Sequence, residues 1–380
     1  MKKVLLGTSA LLGVGLLAGT AQASDGVKLS LGGFIRNQMG VVFDDDSNGE
    51  GGDNKNDVGV GTDAEIYFLG SVTLDNGITV GARFELEGGD ENNDQFDQAY
   101  AYFKGGFGDI RIGAQADAAA NLYMLPPGSS NNFGPYSPNS IGTSLASPAY
   151  FDPVGSTANQ DKSQKISYYS PTWGGFSFGV SYTPNDNNKD YNNGDDADQQ
   201  WRADSDSGDA ENNISLGLHY DYEGDGWGLA LGGAAYWEGD IQQKGANNDE
   251  QSAYNAGINV NFGGLTVGVA GTYLVNTSFG NGNDFANSDG EDTWVIGTGL
   301  SYNVDAWTVG AGWAHLESEV EGFGDESVEN RVGVTGAYEM GPGITLDAGL
   351  FYTWLDTADD TSANDNYDSL EFAVGSSISF

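Results

Sequence analysis

Residues 78–89 read ITVGARFELEGG. Ile78, Val80, Ala82, Phe84 and Leu86 alternate with Thr79, Gly81, Arg83, Glu85 and Glu87, so a strand here carries one apolar and one polar face. Which way the polar face looks decides the fold. A secreted β-sandwich buries its apolar face in a core, whereas a closed barrel in a membrane turns that face to lipid and the polar one to water.

Neighbouring stretches favour the barrel. One face of 62–74 carries Glu65, Tyr67, Ser71 and Thr73, and one face of 97–104 carries Gln98, Tyr100, Tyr102 and Lys104. These groups are too polar or too small to fill a core. With Val80, Ala82 and Phe84 toward lipid, Arg83 points into the lumen, since an arginine facing lipid at mid-depth costs about 2–4 kcal/mol. Arg111, between Ile110 and Ile112, and Arg36, between Ile35 and Asn37, fit the same face.

Sixteen such segments are separated by connections that are short and long in strict turn. The short ones fall at 75–77, 105–108, 174–175, 223–226, 263–264, 305–306 and 341–343, most with Gly, Asn or Asp where a tight turn needs positive φ. The long ones, rich in Asp, Asn, Gly and Ser, fall at 44–61, 88–96, 116–163, 184–211, 239–250, 276–291, 317–329 and 356–367. This predicts an all-β fold: a transmembrane antiparallel 16-stranded β-barrel with short periplasmic turns and long extracellular loops. Closure pairs every backbone donor and acceptor that would otherwise lie open to lipid.

The first residues agree with export. Lys2 and Lys3 precede an apolar run that ends in Ala21, Gln22 and Ala23, the pattern of a cleaved signal peptide over 1–23, which leaves 24–380 as a single barrel domain. The whole chain carries 14 basic and 55 acidic residues and a formal charge of −41. That balance disfavours nucleic acid and favours cations. It is not the composition of a disordered acidic chain, because 19 Tyr, 18 Phe and 8 Trp accompany the charge. No cysteine is present, so no disulfide holds the fold.

Tyr168, Tyr169, Trp173, Tyr236, Trp237, Trp313, Tyr352 and Trp354 gather near segment ends, as interfacial girdles require. The chain stops at SLEFAVGSSISF, with Leu370, Phe372, Val374, Ile378 and Phe380 on one face. The leader, sixteen strands, terminal Phe380 and long third loop together resemble the Gram-negative general porins, particularly the alphaproteobacterial kind. The likeness spans the mature chain and rests on architecture rather than on a catalytic-style motif. It implies an integral barrel of the cell outer membrane, in contact with its lipid and lipopolysaccharide, assembled as a homotrimer. The expected function is passive diffusion of ions and small hydrophilic solutes with a mild cation preference.

In the proteins it resembles, the third loop folds inward and narrows the pore, with wall arginines set against loop acids. That likeness makes 116–163 the constricting loop. It places Arg36, Arg83, Arg111 and Lys104 on a basic wall sector and Asp117, Asp152 and Asp161 opposite them. Pairing of Arg83 with Glu85 or Glu87 along its own strand, away from the constriction, is the competing arrangement. Two other functions stay open: a substrate-selective channel, for which Tyr100, Tyr102, Tyr123 and Phe133 hint at a sugar path, and a structural or adhesive surface barrel whose acidic loops are linked through divalent cations.

No cofactor is required. Asp44, Asp46, Asn48 and Gly49 match the first half of a calcium loop, but the twelfth position is Lys55 where glutamate is needed, so a solvated loop with at most weak calcium binding is expected. The only histidines are His219 and His315, and with no cysteine and no G-x-S-x-G the chain is not expected to be an enzyme.

Overall fold

The fold is described from a computed structural model, which covers residues 26–44, 57–88, 96–128, 162–185, 211–239, 250–279, 285–319, 326–356 and 366–380. Residues 1–23, read as the leader, lie outside the described residues.

Sixteen strands follow one another along the chain. They are β1 (Lys28–Asp44), β2 (Val58–Thr73), β3 (Thr79–Gly88), β4 (Gln98–Gly105), β5 (Gly108–Ala114), β6 (Gln164–Tyr169), β7 (Phe176–Asn185) and β8 (Glu211–Glu223), then β9 (Trp227–Trp237), β10 (Ser252–Phe262), β11 (Leu265–Phe279), β12 (Phe285–Val304), β13 (Trp307–Glu319), β14 (Glu326–Gly341), β15 (Ile344–Asp356) and β16 (Asn366–Ser379). A short helix, α1 (Ala118–Leu122), stands between β5 and β6. Every strand pairs with its neighbours in sequence, and β1 pairs with β16, so the sheet closes. The last residue completes the seam: Gly33 N–H donates to Phe380 O and Phe380 N–H to Gly33 O, each at 3.0 Å. No helix among the described residues is long and apolar enough to cross a membrane; the crossing elements are the strands.

Register carries one face all the way round. Arg36 lies opposite Asp63, Leu69 opposite Arg83, Arg83 opposite Tyr100 and Tyr102 opposite Arg111. The row then runs through Ser167, Ser181, Ser215, Tyr236 and Ala253. This face is the lumen wall. The other carries Leu31, Phe68, Phe84, Ile112, Leu218, Leu231, Leu300, Val334 and Phe372, all exposed, which is stable against lipid or another apolar surface but not against water.

Several boundaries differ from the hydropathy pattern. β2 starts at Val58, β11 runs on to Phe279, β12 starts at Phe285 and β14 at Glu326, so the connections expected at 44–61, 276–291 and 317–329 are shorter than they read. These strand ends continue the hydrogen-bond ladder beyond the lipid, where nothing demands apolar alternation. Between β11 and β12 the register shifts at Asn276, which adopts a φ of 56°. β6, expected to reach 173, stops at Tyr169, and only the isolated Trp173–Phe176 bridge follows, because Pro171 has no N–H for the ladder.

Candidate functional site

The aqueous lumen is the site, and the start of the third loop shapes it. Leaving β5, the chain turns inward. Lys165 Nζ donates to Gln115 O at 2.6 Å, and Ala118 N–H donates to Ser181 Oγ at 2.9 Å. Asp117 caps α1, its carboxylate accepting from Ala120 N–H at 2.9 Å. Asn121 Nδ2 donates to Tyr169 Oη at 2.8 Å.

Beyond the helix the extended run to Leu125 is tied to β10. Met124 N–H donates to Asn255 Oδ1 at 2.7 Å, and Asn255 Nδ2 returns a bond to Met124 O at 3.1 Å. Asn259 Nδ2 donates to Leu125 O at 3.0 Å. Met124, 2% exposed, packs with Ala270, Val295 and Leu316 of β11 to β13 in a dry cluster inside the barrel. Residues 115–125 thus form a strap along the wall from β6 to β13, and the basic sector on β1 to β5 is across the lumen from its outer end.

The strap fits because the wall beneath it lacks side chains. A Cβ at Gly217 would meet Leu122 Cβ at 2.5 Å and Ala118 O at 2.6 Å, and one at Gly232 would clash with Met124 Cγ. These inward glycines form a furrow that allows close approach.

On the other sector each arginine has a wall carboxylate and an aromatic ring. Arg36 pairs with Asp63 at 3.2 Å and lies 4.1 Å from the Phe34 ring centre. Arg83 pairs with Glu85 and lies 4.3 Å over Tyr67. Arg111 pairs with Asp109 at 3.1 Å and sits between Tyr100 and Tyr169, at 5.6 and 4.4 Å. Gln98 Nε2 donates to Glu85 at 2.8 Å, and Lys162 binds Asp97 at 2.9 Å. Asp63, Glu65 and Glu87 bring carboxylate oxygens within 4.8 Å of one another. Ring contacts and pairing along the wall hold the guanidinium groups against the wall.

The described residues place several of the sequence expectations. Asp117 is buried and caps α1, because a carboxylate satisfies the free amides that begin the helix. Lys104 points inward but is exposed beside the β4–β5 turn, opposite Thr79 and Asp109, at the tight-turn mouth rather than beside the arginines. Arg83 forms the Glu85 pair of the competing arrangement and stays on the lumen wall. Asp152, Asp161, Phe133, Asp46 and Asn48 lie outside the described residues, as does the Asp44 side chain, so the loop acids and the calcium pattern rest on sequence alone. Among the girdle aromatics, Tyr169 and Tyr236 face inward, the first under Arg111 and the second in a buried cluster with Ala119. His219 faces the lumen with Nε2 3.1 Å from Asp221, and His315 faces outward between Trp294 and Trp313.

Two inward residues escaped the sequence pattern. Arg331 on β14, 2% exposed, reaches past β15 to Glu371 on β16 at 3.0 Å and lies 4.8 Å from the Phe351 ring. Its alternation with Val332 and Val334 matches that of Arg83 and was the available signal. Asn255 offered none, because an asparagine on a lumen face is ordinary.

A closed sixteen-stranded barrel with a lipid-facing exterior, a charged lumen and an internal strap is a transmembrane channel. Residues 7–360 match the family of Gram-negative porins, and the chain belongs to it. It is an integral β-barrel of the outer membrane, and its fold and family are those of a channel rather than an enzyme. Solved structures share the fold at low identity. Loop-deleted OmpT, an outer membrane protein of Vibrio cholerae, is 14% identical with a TM-score of 0.61, covering 94% of this chain and 100% of that one. An anion-selective porin from Comamonas acidovorans is 15% identical at 0.59, covering 93% and 100%. Salmonella typhi OmpF, in complex with daunomycin, is 15% identical at 0.61, covering 93% and 97%. No curated protein sequence matches the chain.

Proposed function

We propose that the protein is a general-diffusion porin for ions and small hydrophilic solutes with a mild preference for cations. The carrying observation is the charge of the wall. Among the described residues four inward arginines each have a carboxylate partner, Asp63, Glu85, Asp109 or Glu371, which balances them locally. Glu65 and Glu87 add further negative charge next to Asp63, in the sector that holds most of the basic groups. Such a lumen concentrates cations, and its pairing keeps the preference modest. Arg36, Arg83 and Arg111 line the constriction in this reading, with Asp152 and Asp161 as candidates from the loop. No cofactor is needed.

Of the rings named for a sugar path, Tyr100 supports the unselective reading instead: it is buried, and the Arg111 guanidinium lies 5.6 Å from its ring centre. The reversal potential of single channels under a potassium chloride gradient is the test: a cation-selective sign supports the proposal and an anion-selective sign overturns it.

We also infer a homotrimer, with the outer face of β1 to β5 as its contact. Tyr and Trp face outward at both ends of the strands from β6 to β15, among them Tyr222, Trp227, Trp237, Tyr254, Trp294, Trp307 and Trp354. Among the described residues none does so on β1 to β5, where an interfacial girdle would otherwise be expected. β4, β5 and β6 have only 8, 7 and 6 residues, fewer than the roughly 9–11 a lipid-facing strand needs. An apolar hollow of about 900 Å³ lies on this face, with Gly70 and Ala82 among its lining and Leu29, Leu31, Phe68 and Phe84 around them. One structure of the Vibrio cholerae OmpT is described as a trimer form.

A further inference from the structure

We infer that Asn255 is the positioning residue of the strap: through its paired bonds to Met124 it sets how far residues 115–125 stand into the lumen, and so controls conductance from a place that the permeating solute does not touch. The inference rests on the reading of the protein as an open channel.

A loop inside a water-filled pore has a problem of its own. Its backbone amides and carbonyls compete with water for partners, and an excursion into the lumen costs it little. The strap has two anchors against this. At its start, Lys165, Ser181 and Tyr169 hold Gln115, Ala118 and Asn121. At its far end the bonds come from two asparagines on one face of β10. Asn255 takes the place of a neighbouring strand, accepting from Met124 N–H and donating to Met124 O, and Asn259 continues the pattern at Leu125 O.

Asn255 is itself fixed. It is 5% exposed, and its Nδ2 also lies 2.9 Å from Thr272 Oγ1 and 3.2 Å from Gly271 O on β11. An amide held this way has its oxygen and nitrogen assigned by the surroundings and cannot rotate to release Met124 without losing bonds to β11. A side chain at this place must satisfy both polar groups of one residue: a carboxylate lacks the donor, and an alkyl chain lacks both. The dry cluster of Met124 with Ala270, Val295 and Leu316 adds attraction, but dispersion is not directional and would let the strap slide.

The test uses single-channel recording on the full-length variant, with barrel folding followed independently by heat-modifiable mobility on gels. Asn255→Ala is expected to keep a folded barrel while its unitary conductance shifts and its open-channel noise rises. The absence of cysteine allows a rescue. A Cβ at Gly257 would lie 2.7 Å from Met124 Cβ and 2.8 Å from Ala270 Cβ, so Met124→Cys with Gly257→Cys, added to Asn255→Ala, can form a disulfide once the strap and the wall of β11 give by about 1 Å. Oxidation should quiet the current and reduction should release it again. A folded Asn255→Ala channel with parental conductance and noise overturns the inference, as does a formed disulfide that leaves the noise unchanged. Should the alanine variant not fold, Asn255→Asp keeps the acceptor and removes the donor. Because its charge moves conductance by itself, noise and its suppression by the same disulfide are then the readout: parental noise, or noise that the disulfide does not suppress, overturns the inference. A parent protein that does not conduct would sink the channel reading, whereas a conducting parent with an indifferent Asn255 variant sinks only this one.

Discussion

The Cβ that Gly217 lacks would sit 2.5 Å from the Cβ of Leu122, so the wall of β8 and the strap helix touch without a side chain between them. Gly217→Val should therefore push α1 off the wall. Overpacking of this kind costs about 1–3 kcal/mol if the neighbours hold and less if they move. The strap is the part that can move, and its displacement into the lumen lowers unitary conductance while the barrel survives. Gly336→Ala is the control, since a Cβ there meets nothing within 4 Å. Equal conductance in the two variants would mean that the furrow does not seat the strap.

Arg83 and Glu85 form a buried lumen pair, and removing one partner should not resemble removing both. Arg83→Ser leaves Glu85, nearly inaccessible to water, without its cation, which costs about 3–5 kcal/mol in comparable buried pairs. The same change adds uncompensated negative charge to the wall and should move the reversal potential toward greater cation preference. In Arg83→Ser with Glu85→Gln, both stability and selectivity should return most of the way. An unchanged reversal potential in the single variant would remove Arg83 from the permeation path.

The fold was legible because lipid imposes a strict rule on sequence. Every residue of ITVGARFELE had to choose a face, and the arginine among apolar neighbours could choose only one. Turn chemistry was equally plain at Gly77, where the chain needs a φ of 81°. The strand ends past the lipid were not legible, since polar residues such as Ser327 and Glu329 form a ladder there without alternation. The lumen was half legible. Periodicity places Arg36, Arg83 and Arg111 on the inner face but cannot show that each turns back to a carboxylate on its own or the next strand. The cap role of Asp117 was not legible for a related reason: in the sequence an acid at the start of a loop reads as charge facing a pore, whereas here the short run AAANL after it makes it a helix cap.

The outward face offers a direct test of depth. Leu350 on β15 is exposed in mid-strand between inward Gly349 and Phe351. Leu350→Arg should destabilise the barrel by about 2–4 kcal/mol when unfolding is followed in bilayer vesicles, since the guanidinium must be carried into hydrocarbon. A loss well under about 1 kcal/mol would place Leu350 out of the lipid.

The missing girdle on β1 to β5 predicts a difference in accessibility between two sides of the same barrel. Ala82, in the apolar hollow, and Leu231, on the outer face of β9, both point outward, and no native cysteine interferes with single cysteines at either. Asn37 and Thr62 give a second reason to expect cover on the first side, because Thr62 Oγ1 donates to Asn37 Oδ1 at 3.0 Å on the outer surface, and polar groups facing hydrocarbon are costly. Ala82→Cys should resist a thiol reagent dissolved in the membrane while the assembly is intact, and react once detergent separates it into single barrels. Leu231→Cys should react in both states. Protection at Leu231 with reaction at Ala82 would move the contact to the opposite side, and equal reaction at both positions in an intact trimer would exclude the β1 to β5 face.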